Sequence, residues 1–419
     1  MCLYPFCCDH LVLIVSGTNV FKNVNLPVWM PQFEASSNCS YVVSIREQIF
    51  GRTLCFWVLQ IKNLLVSLAG RIFDAHYMKE GLLMKQIMFI TLAAQDEIAS
   101  YAINSGNGEI NEISRMHVSG RPAPVTVDTK NRVLFVGRRD IPLVSSFTFD
   151  EMGTLTSLSD GPELAGDPCY ISLDNTGEFL FGAYYNAGAA SVHRLSQGKV
   201  EGESQWIKTG NGAHCIMTDR DNSFILLPHI AGEKGLNSIR LFKFDEQEGA
   251  LIDNDPNECK QVAGRGPRHY VYHPNNKFVY FSNEQESSVT AYEYFSGQIS
   301  EIDTKGTLPE QYSGSNTCAQ IRMTPKGEYL YAPNRGHDSI AIYSVSNTNG
   351  KLTPIGRVRT EPTPRVLSID LSGQYLYSAG LDSGYVSLFK ILENGNLEYV
   401  DRYEVGFEPM WIEIVSIED

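Results

Sequence analysis

From about residue 86 onward, hydrophobic and polar positions repeat one motif: a short strand, a polar turn holding Asn or Gly, then a second strand rich in aromatics. The copies read VTVDTKNRVLFV, ISLDNTGEFLFG, IMTDRDNSFILL, VYHPNNKFVYFS, IRMTPKGEYLYA and SIDLSGQYLYSA. Their turn residues are Asn131, Gly177, Asn222, Asn276, Gly327 and Gly373, spaced 46, 45, 54, 51 and 46 residues apart. Asn and Gly tolerate the positive φ of tight turns, so the pattern predicts six antiparallel hairpins at nearly constant spacing.

A third strand follows each hairpin, built on an aliphatic residue with large apolar ones beyond it, anchored at Ile98, Val144, Val192, Ile239, Val289, Ile340 and Val386. Most are followed by a Gly-containing turn and a fourth strand, as in SGNGEINEI, DEMGTLTSL, QEGALI and ENGNLEYV. Four short strands in roughly 48 residues is the size of one propeller blade. The predicted fold is all-β: a seven-bladed β-propeller with four antiparallel strands per blade. Only six inner hairpins accompany the seven outer pairs. Residues 86–115 lack an innermost strand, and residues 409–415 (PMWIEIV) form an orphan strand at the other end. The two are expected to complete one composite blade, which removes the open edges an unclosed array would expose.

Composition changes this picture at the N-terminus. The chain has 419 residues, 43% of them hydrophobic and 20% charged, which fits a globular protein and not a disordered one. Residues 1–83 carry six Lys or Arg against five Asp or Glu, whereas the remainder carries 28 against 43, giving −15. The expected organisation is an N-terminal extension over 1–83 and a propeller over 84–419, the functional chain starting at Met84. Thr53 to Gly70 is apolar, but Gln60, Lys62 and Asn63 interrupt it where a membrane helix tolerates charge worst, so neither a membrane span nor a secretory signal is favoured. An accessory helix packed on the main domain is the alternative. The acidic balance speaks against a nucleic-acid partner. Nine cysteines without any CxxC pair read as reduced thiols of a cytoplasmic protein, and no metal or other cofactor is called for.

In a propeller the start of each innermost strand and the end of each second strand reach the same mouth of the central channel. Five residues before the position of Asp128, the innermost strands offer Ala123, Cys169, His214, Arg268, Ala319 and Arg365. The second strands end on Arg138 and Arg139, Tyr184 and Tyr185, His229, Asn283 and Glu284, Asn334 and Arg335, and Gly380. Basic groups therefore collect at one mouth of an acidic chain. Arg presents a fork matched to carboxylate or phosphate, and Glu284 and His214 are available for proton transfer, so the mouth reads as a pocket for a small anion. Solvated loop charges or salt bridges between blades are the plainer account of any one of these residues. His269 and His273 read as packed histidines, His337 and Asp338 as a turn, and Tyr184 and Tyr185 as packing between blades. P-loop, HExxH, GxSxG and EF-hand patterns are absent, and no Trp precedes Asp as in WD-type scaffolds.

The segments GPRHYVYHP, YFSNEQESSV, GNGAHCIMTD, YLYAPNRGHDSI and EVGFEPMWIEIV together resemble the seven-bladed propeller lactonases of the cycloisomerase-2 type, bacterial 6-phosphogluconolactonases above all. The resemblance runs from Met84 to the C-terminus. It implies a small anionic sugar lactone as substrate, hydrolysis of 6-phosphoglucono-1,5-lactone to 6-phosphogluconate in the pentose phosphate pathway, and no membrane association. By motif, the family's catalytic His, Glu and two Arg fall on His214, Glu284, Arg268 and either Arg335 or Arg365. Substrate binding is expected from Arg365, Arg138, Arg139, His229, Asn283 and Asn334. A carboxymuconate-type lactonising cycloisomerase, or a non-catalytic interaction propeller, would be the alternative function.

Overall fold

The structure is a computed structural model describing residues 85–232 and 234–417, so the expected 1–83 extension, its apolar Thr53 to Gly70 stretch included, lies outside the described residues. Within them the chain forms seven antiparallel sheets. Blade 1 is composite: the C-terminal strand Pro409–Ile417 pairs with Lys85–Leu92, which leads out to Glu97–Ile103 and Ile110–His117. The other blades occupy residues 122–160, 170–208, 217–260, 267–306, 317–359 and 364–404. Blade 6 alone holds five strands, because its innermost strand is split into Thr317–Cys318 and Arg322–Met323. Among the described residues, no helix is long and apolar enough to cross a membrane.

Burial follows distance from the channel. The second strands Val133–Arg138, Phe179–Tyr184, Phe278–Asn283 and Tyr375–Gly380 are buried at every position, because both faces meet neighbouring blades. Such strands read as continuous apolar runs instead of alternating ones. The outermost strands, such as Leu397–Glu404, are largely exposed. All seven aliphatic anchors of the third strands, Ile98 to Val386, are at most 1% exposed.

The aromatic bias of the second strands has a further cause. In five blades the glycine turning the outer hairpin presses on an aromatic at the start of the second radial strand of the blade before it: Gly249 on Phe179, Gly297 on Phe224, Gly350 on Phe278, Gly395 on Tyr329 and, across the ring closure, Gly108 on Tyr375, while Gly153 and Gly198 meet Ile87 and Val133. Tyrosines two residues further along then reach back to the glycine carbonyl, Tyr280 to Gly350, Tyr331 to Gly395 and Tyr377 to Gly108. A flat ring supplies apolar area, and its hydroxyl satisfies a carbonyl that packing has shielded from water.

The inner turns match the expected positive φ at Gly177, Asn222, Asn276, Gly327 and Gly373, but not at Asn131. In that first copy Arg132 takes the positive φ of 53°. Asn131 is instead engaged with Asp128, its backbone N–H and its Nδ2 donating to the two carboxylate oxygens at 2.9 and 2.7 Å.

Candidate active site

The mouth of the channel is built by a backbone irregularity repeated around the ring. Four innermost strands begin with Pro after a residue of positive φ: Arg121-Pro122, Gly266-Pro267, Thr363-Pro364 and Glu408-Pro409. Just inside each start the ladder slips. Pro267 faces Asn283 while His269 faces Ser282, so Arg268 is looped out. Pro364 faces Gly380 while Val366 faces Ala379, which ejects Arg365. The same slip frees Ala123 and Pro124 in blade 2 and Met410 in blade 1. A β-bulge re-aims a side chain that regular alternation would direct elsewhere. Here it aims one residue, or two in blade 2, at the channel.

The result is a narrow cavity lined by His214, Arg268, Arg365, Arg139, His269 and Gln320 among others. Cys169, Ala123, Met410 and Trp411 complete much of the wall. Glu284 and Arg335 stand beside it: Glu284 Oε2 lies 2.7 Å from Arg268 Nε and 3.0 Å from Arg335 Nη2. Arg335 Nη2 also donates to the Cys318 carbonyl at 2.8 Å. The Arg268 contact is a close ion pair lying off the hydrogen-bond direction, and Arg268 Nη1 has no hydrogen-bond partner although the residue is 2% exposed. No carboxylate lies within ion-pairing distance of Arg365 among the described residues, whereas Arg139 is paired with Asp167 at 3.0 Å. Four guanidinium groups thus face two carboxylates, an excess of positive charge in a partly dehydrated site.

That excess acts on every titratable neighbour. Burial, and then the repulsion of Arg335, press Arg268 down to about 10, with Glu284 pulling the other way. Burial and the neighbouring arginines press Arg365 to about 9. Both remain protonated at neutral pH. Burial and the adjacent Arg268 hold His214 and His269 well below the ordinary histidine range, so both imidazoles are neutral. They touch, Nε2 of His269 lying 3.2 Å from Nδ1 of His214. Burial pushes the Cys169 thiol up to about 11, and its Sγ donates to the Ala183 and Ala213 carbonyls, so it is no nucleophile.

Of the residues expected at the mouth, His214, Arg268, Glu284, Arg335, Arg365 and Arg139 come together. Arg138, His229, Asn283 and Asn334 do not. Each lies at the end of a second strand, or one residue before it in the case of Asn334, with its side chain turned along the sheet: Arg138 to Ser119, Ser145 and Asp160, His229 to Thr209, Asn283 to Ser288 and Thr290, and Asn334 to Thr307 and Ser339. Successive strand residues face opposite ways, and the residue one further on, Arg139, Glu284 or Arg335, turns towards the site. His269, expected to be mere packing, is on the cavity wall, and Gln320 takes the place expected of Ala319. Tyr184 meets Trp206 of its own blade at 4.5 Å, whereas Tyr185 meets His214 of the next blade at 6.2 Å, and Asp338 has the positive φ of a turn.

A closed ring of seven antiparallel sheets with a buried cationic mouth defines a propeller whose central site suits a small anion. The chain belongs to the seven-bladed propeller lactonases: residues 86–414 match the family described as "Lactonase, 7-bladed beta-propeller". It is 32% identical over 337 residues to a 6-phosphogluconolactonase of Erwinia tasmaniensis, covering 80% of this chain and all of that one. A provisionally assigned 6-phosphogluconolactonase of Bacteroides fragilis superposes with a TM-score of 0.73 at 26% identity, over 80% of this chain and 98% of that one. The periplasmic gluconolactonase of Pseudomonas aeruginosa shares the fold, with a TM-score of 0.74 at 20% identity over 80% of this chain and all of that one.

Proposed function

We propose that this lactone hydrolase opens 6-phosphoglucono-1,5-lactone to 6-phosphogluconate, as a step of the pentose phosphate pathway in the cytoplasm. The observation that carries the substrate is the charge of the mouth: Arg365 without a carboxylate partner, beside Arg139 and Arg268, is suited to a phosphate or carboxylate. The name of the Erwinia relative supports the same substrate. A phosphorylated sugar acid is retained inside cells, which favours the cytoplasm over the periplasm of the Pseudomonas protein.

Neutral His214, on the cavity wall, takes the proton of the attacking water as its oxygen adds to the lactone carbonyl. Negative charge builds on the carbonyl oxygen, where the free Nη1 of Arg268 is available to meet it. The C–O ring bond then breaks, and the imidazolium returns its proton to the departing ring oxygen. Glu284 holds Arg268 and Arg335 in place and balances part of their charge. Arg365 and Arg139 bind the phosphate. No step needs a metal or a cofactor.

The test is a lactone-opening assay on the purified chain with glucono-1,5-lactone and its 6-phosphate, following acid release. Preference for the phosphate ester is expected. Failure to open either ester, with turnover of a carboxymuconate instead, would move the chain to the cycloisomerase reading.

A further inference from the structure

Gln320 enters the cavity at a bulge that blade 6 shares with blade 4, where Ala213 faces His229, Met217 faces Leu226 and Pro228 stands at the place of Pro333. The second strand of blade 6, Tyr329–Arg335, contains Pro333, which has no N–H to give to the ladder. Pairing breaks opposite it. Cys318 faces Asn334 and Arg322 faces Tyr331, leaving Ala319, Gln320 and Ile321 against Ala332 and Pro333. Ala319 and Ile321 are fully buried, and the Ala319 carbonyl accepts from Ser282 Oγ at 2.8 Å. Gln320 lies between them and is turned to the channel side, on the cavity wall.

The side chain of Gln320 is 2% exposed and its Oε1 is buried without a hydrogen-bond partner, nor does its Nε2 find one among the described residues. An amide of this kind is costly unless a ligand completes it. The neighbouring groups explain why it is useful. Arg139, Arg268 and Arg365 can only donate, the Cys169 thiol is spent on carbonyls, and the Trp411 indole donates to Glu413. Of the two neutral imidazoles on the wall, one nitrogen each is taken up by the His214–His269 contact, and His214 is assigned to the attacking water. An anionic group is served by the arginines, while Gln320 adds a donor and an acceptor side by side, which is what a hydroxyl uses.

We propose that Gln320 reads a ring hydroxyl of the substrate and so selects polyhydroxylated lactones over simple ones. This rests on the lactone reading above. Exchanging the amide oxygen and nitrogen leaves the inference intact, since a hydroxyl pairs with either. Gln320 is a specificity residue here, not an acid or base.

The test compares wild type with Gln320→Met, similar in shape and apolar, on glucono-1,5-lactone and δ-valerolactone, which differ in all ring hydroxyls and carry no phosphate. The variant should lose about 10-fold or more in kcat/KM on gluconolactone, the worth of one buried hydrogen bond, and stay within about 3-fold on valerolactone. Its melting temperature should be unchanged or higher, because an unpartnered buried amide has been removed. Equal losses on both lactones with a lowered melting temperature would mark Gln320 as structural and overturn the proposal, as would gluconolactone activity that survives intact. If wild type opens valerolactone too slowly to read, gluconate and pentanoate serve as competitive inhibitors, and Gln320→Met must weaken the first while sparing the second. A wild type inert on gluconolactone and on its 6-phosphate would sink the lactone reading itself and this inference with it. That outcome is distinct from an active wild type whose variant does not discriminate.

Discussion

Nε2 of His269 and Nδ1 of His214 meet at 3.2 Å, a contact in which one ring donates a single proton and the other accepts it. Protonating both rings would set two N–H groups against each other in a site already crowded with arginine. His193 and His229 lie elsewhere but share the condition, each held at about 4 by burial. In the unfolded chain all four return to about 6.5. Below that value the unfolded state takes up protons that the folded state refuses, so stability is intact above pH 6.5 and is lost as pH falls towards the folded values. Each histidine contributes about 1.4 kcal/mol per pH unit in that window. The urea midpoint should fall clearly between pH 7.5 and 5.5, and His193→Gln should flatten the slope by one proton. An unchanged midpoint would mean that the buried histidines are already charged.

Glu284 is the one carboxylate bridging Arg268 and Arg335, so its charge decides where both guanidinium groups lie. Glu284→Gln keeps an acceptor at the same place but removes the charge. Turnover should drop by about 100-fold, the lower end of what loss of a positioned acid, base or its support costs. The fold should survive, and added phosphate should raise the melting temperature of the variant more than that of wild type, since an anion then replaces the missing charge. Full activity in Glu284→Gln would displace the active site from this mouth.

Arg365 is assigned to the phosphate because no carboxylate among the described residues pairs with it, whereas Glu284 pairs with Arg268 and Arg335 and Asp167 with Arg139. Arg365→Ala should raise KM for the 6-phosphate ester by about 10-fold or more and act much less on unphosphorylated gluconolactone, because binding made equally in ground and transition states appears in KM. Comparable losses on both esters would transfer Arg365 to the reacting centre, as the second arginine of the catalytic set in place of Arg335.

The ring of positions aligned five residues before Asp128 was legible because spacing between hairpins is set by the blade. Ala123, Cys169, His214, Arg268 and Arg365 all line the cavity. Ala319 does not, and its neighbour Gln320 lines the cavity instead, although blade 4, with the same bulge opposite Pro228, keeps His214 on the wall. The same irregularity hides His269: after a looped-out Arg268, simple alternation no longer tells which side of the strand faces the channel. Arg138, Asn283 and Asn334 were separable in principle from Arg139, Glu284 and Arg335 by the two-residue period of the strand. What could not be read was which member of each pair turns in, since that depends on where the second strand stops pairing with the third.

The outer-turn glycines offer a test of how the blades lock together. At Gly395 φ is +80°, and a Cβ would fall 2.1 Å from the Tyr329 ring of the preceding blade. Gly395→Ala should therefore destabilise by about 2 kcal/mol or more, through the left-handed backbone and the steric clash together. Gly202 also lies in a blade edge, but nothing stands within 4 Å of the Cβ it would carry, and Gly202→Ala should be nearly silent. Equal melting temperatures for the two variants would show that the inter-blade contact carries no weight.

The closing strand bears the greatest load. Pro409–Ile417 pairs with Lys85–Leu92 along its length, and Met410, Trp411, Ile412, Ile414, Val415 and Ile417 are all buried. Trp411, Val415 and Ile417 belong to the core shared with blades 2 to 5, whereas Ile412 and Ile414 pack with blade 7. At about 1.5–3 kcal/mol for each large buried side chain, these six are comparable to the whole stability of an ordinary domain, about 5–15 kcal/mol. Deleting residues 409–419 should abolish cooperative unfolding, because it opens the ring and bares the edge of Lys85–Leu92. Removing residues 1–83 should not, since every blade lies beyond them and the Erwinia relative is matched over its entire length by 80% of this chain. The comparison is made by thermal melting of the two truncated chains against the full one. A C-terminal deletion that melts like the full chain would contradict the closure, and a start at Met84 that fails to fold would make the first 83 residues part of the propeller's stability.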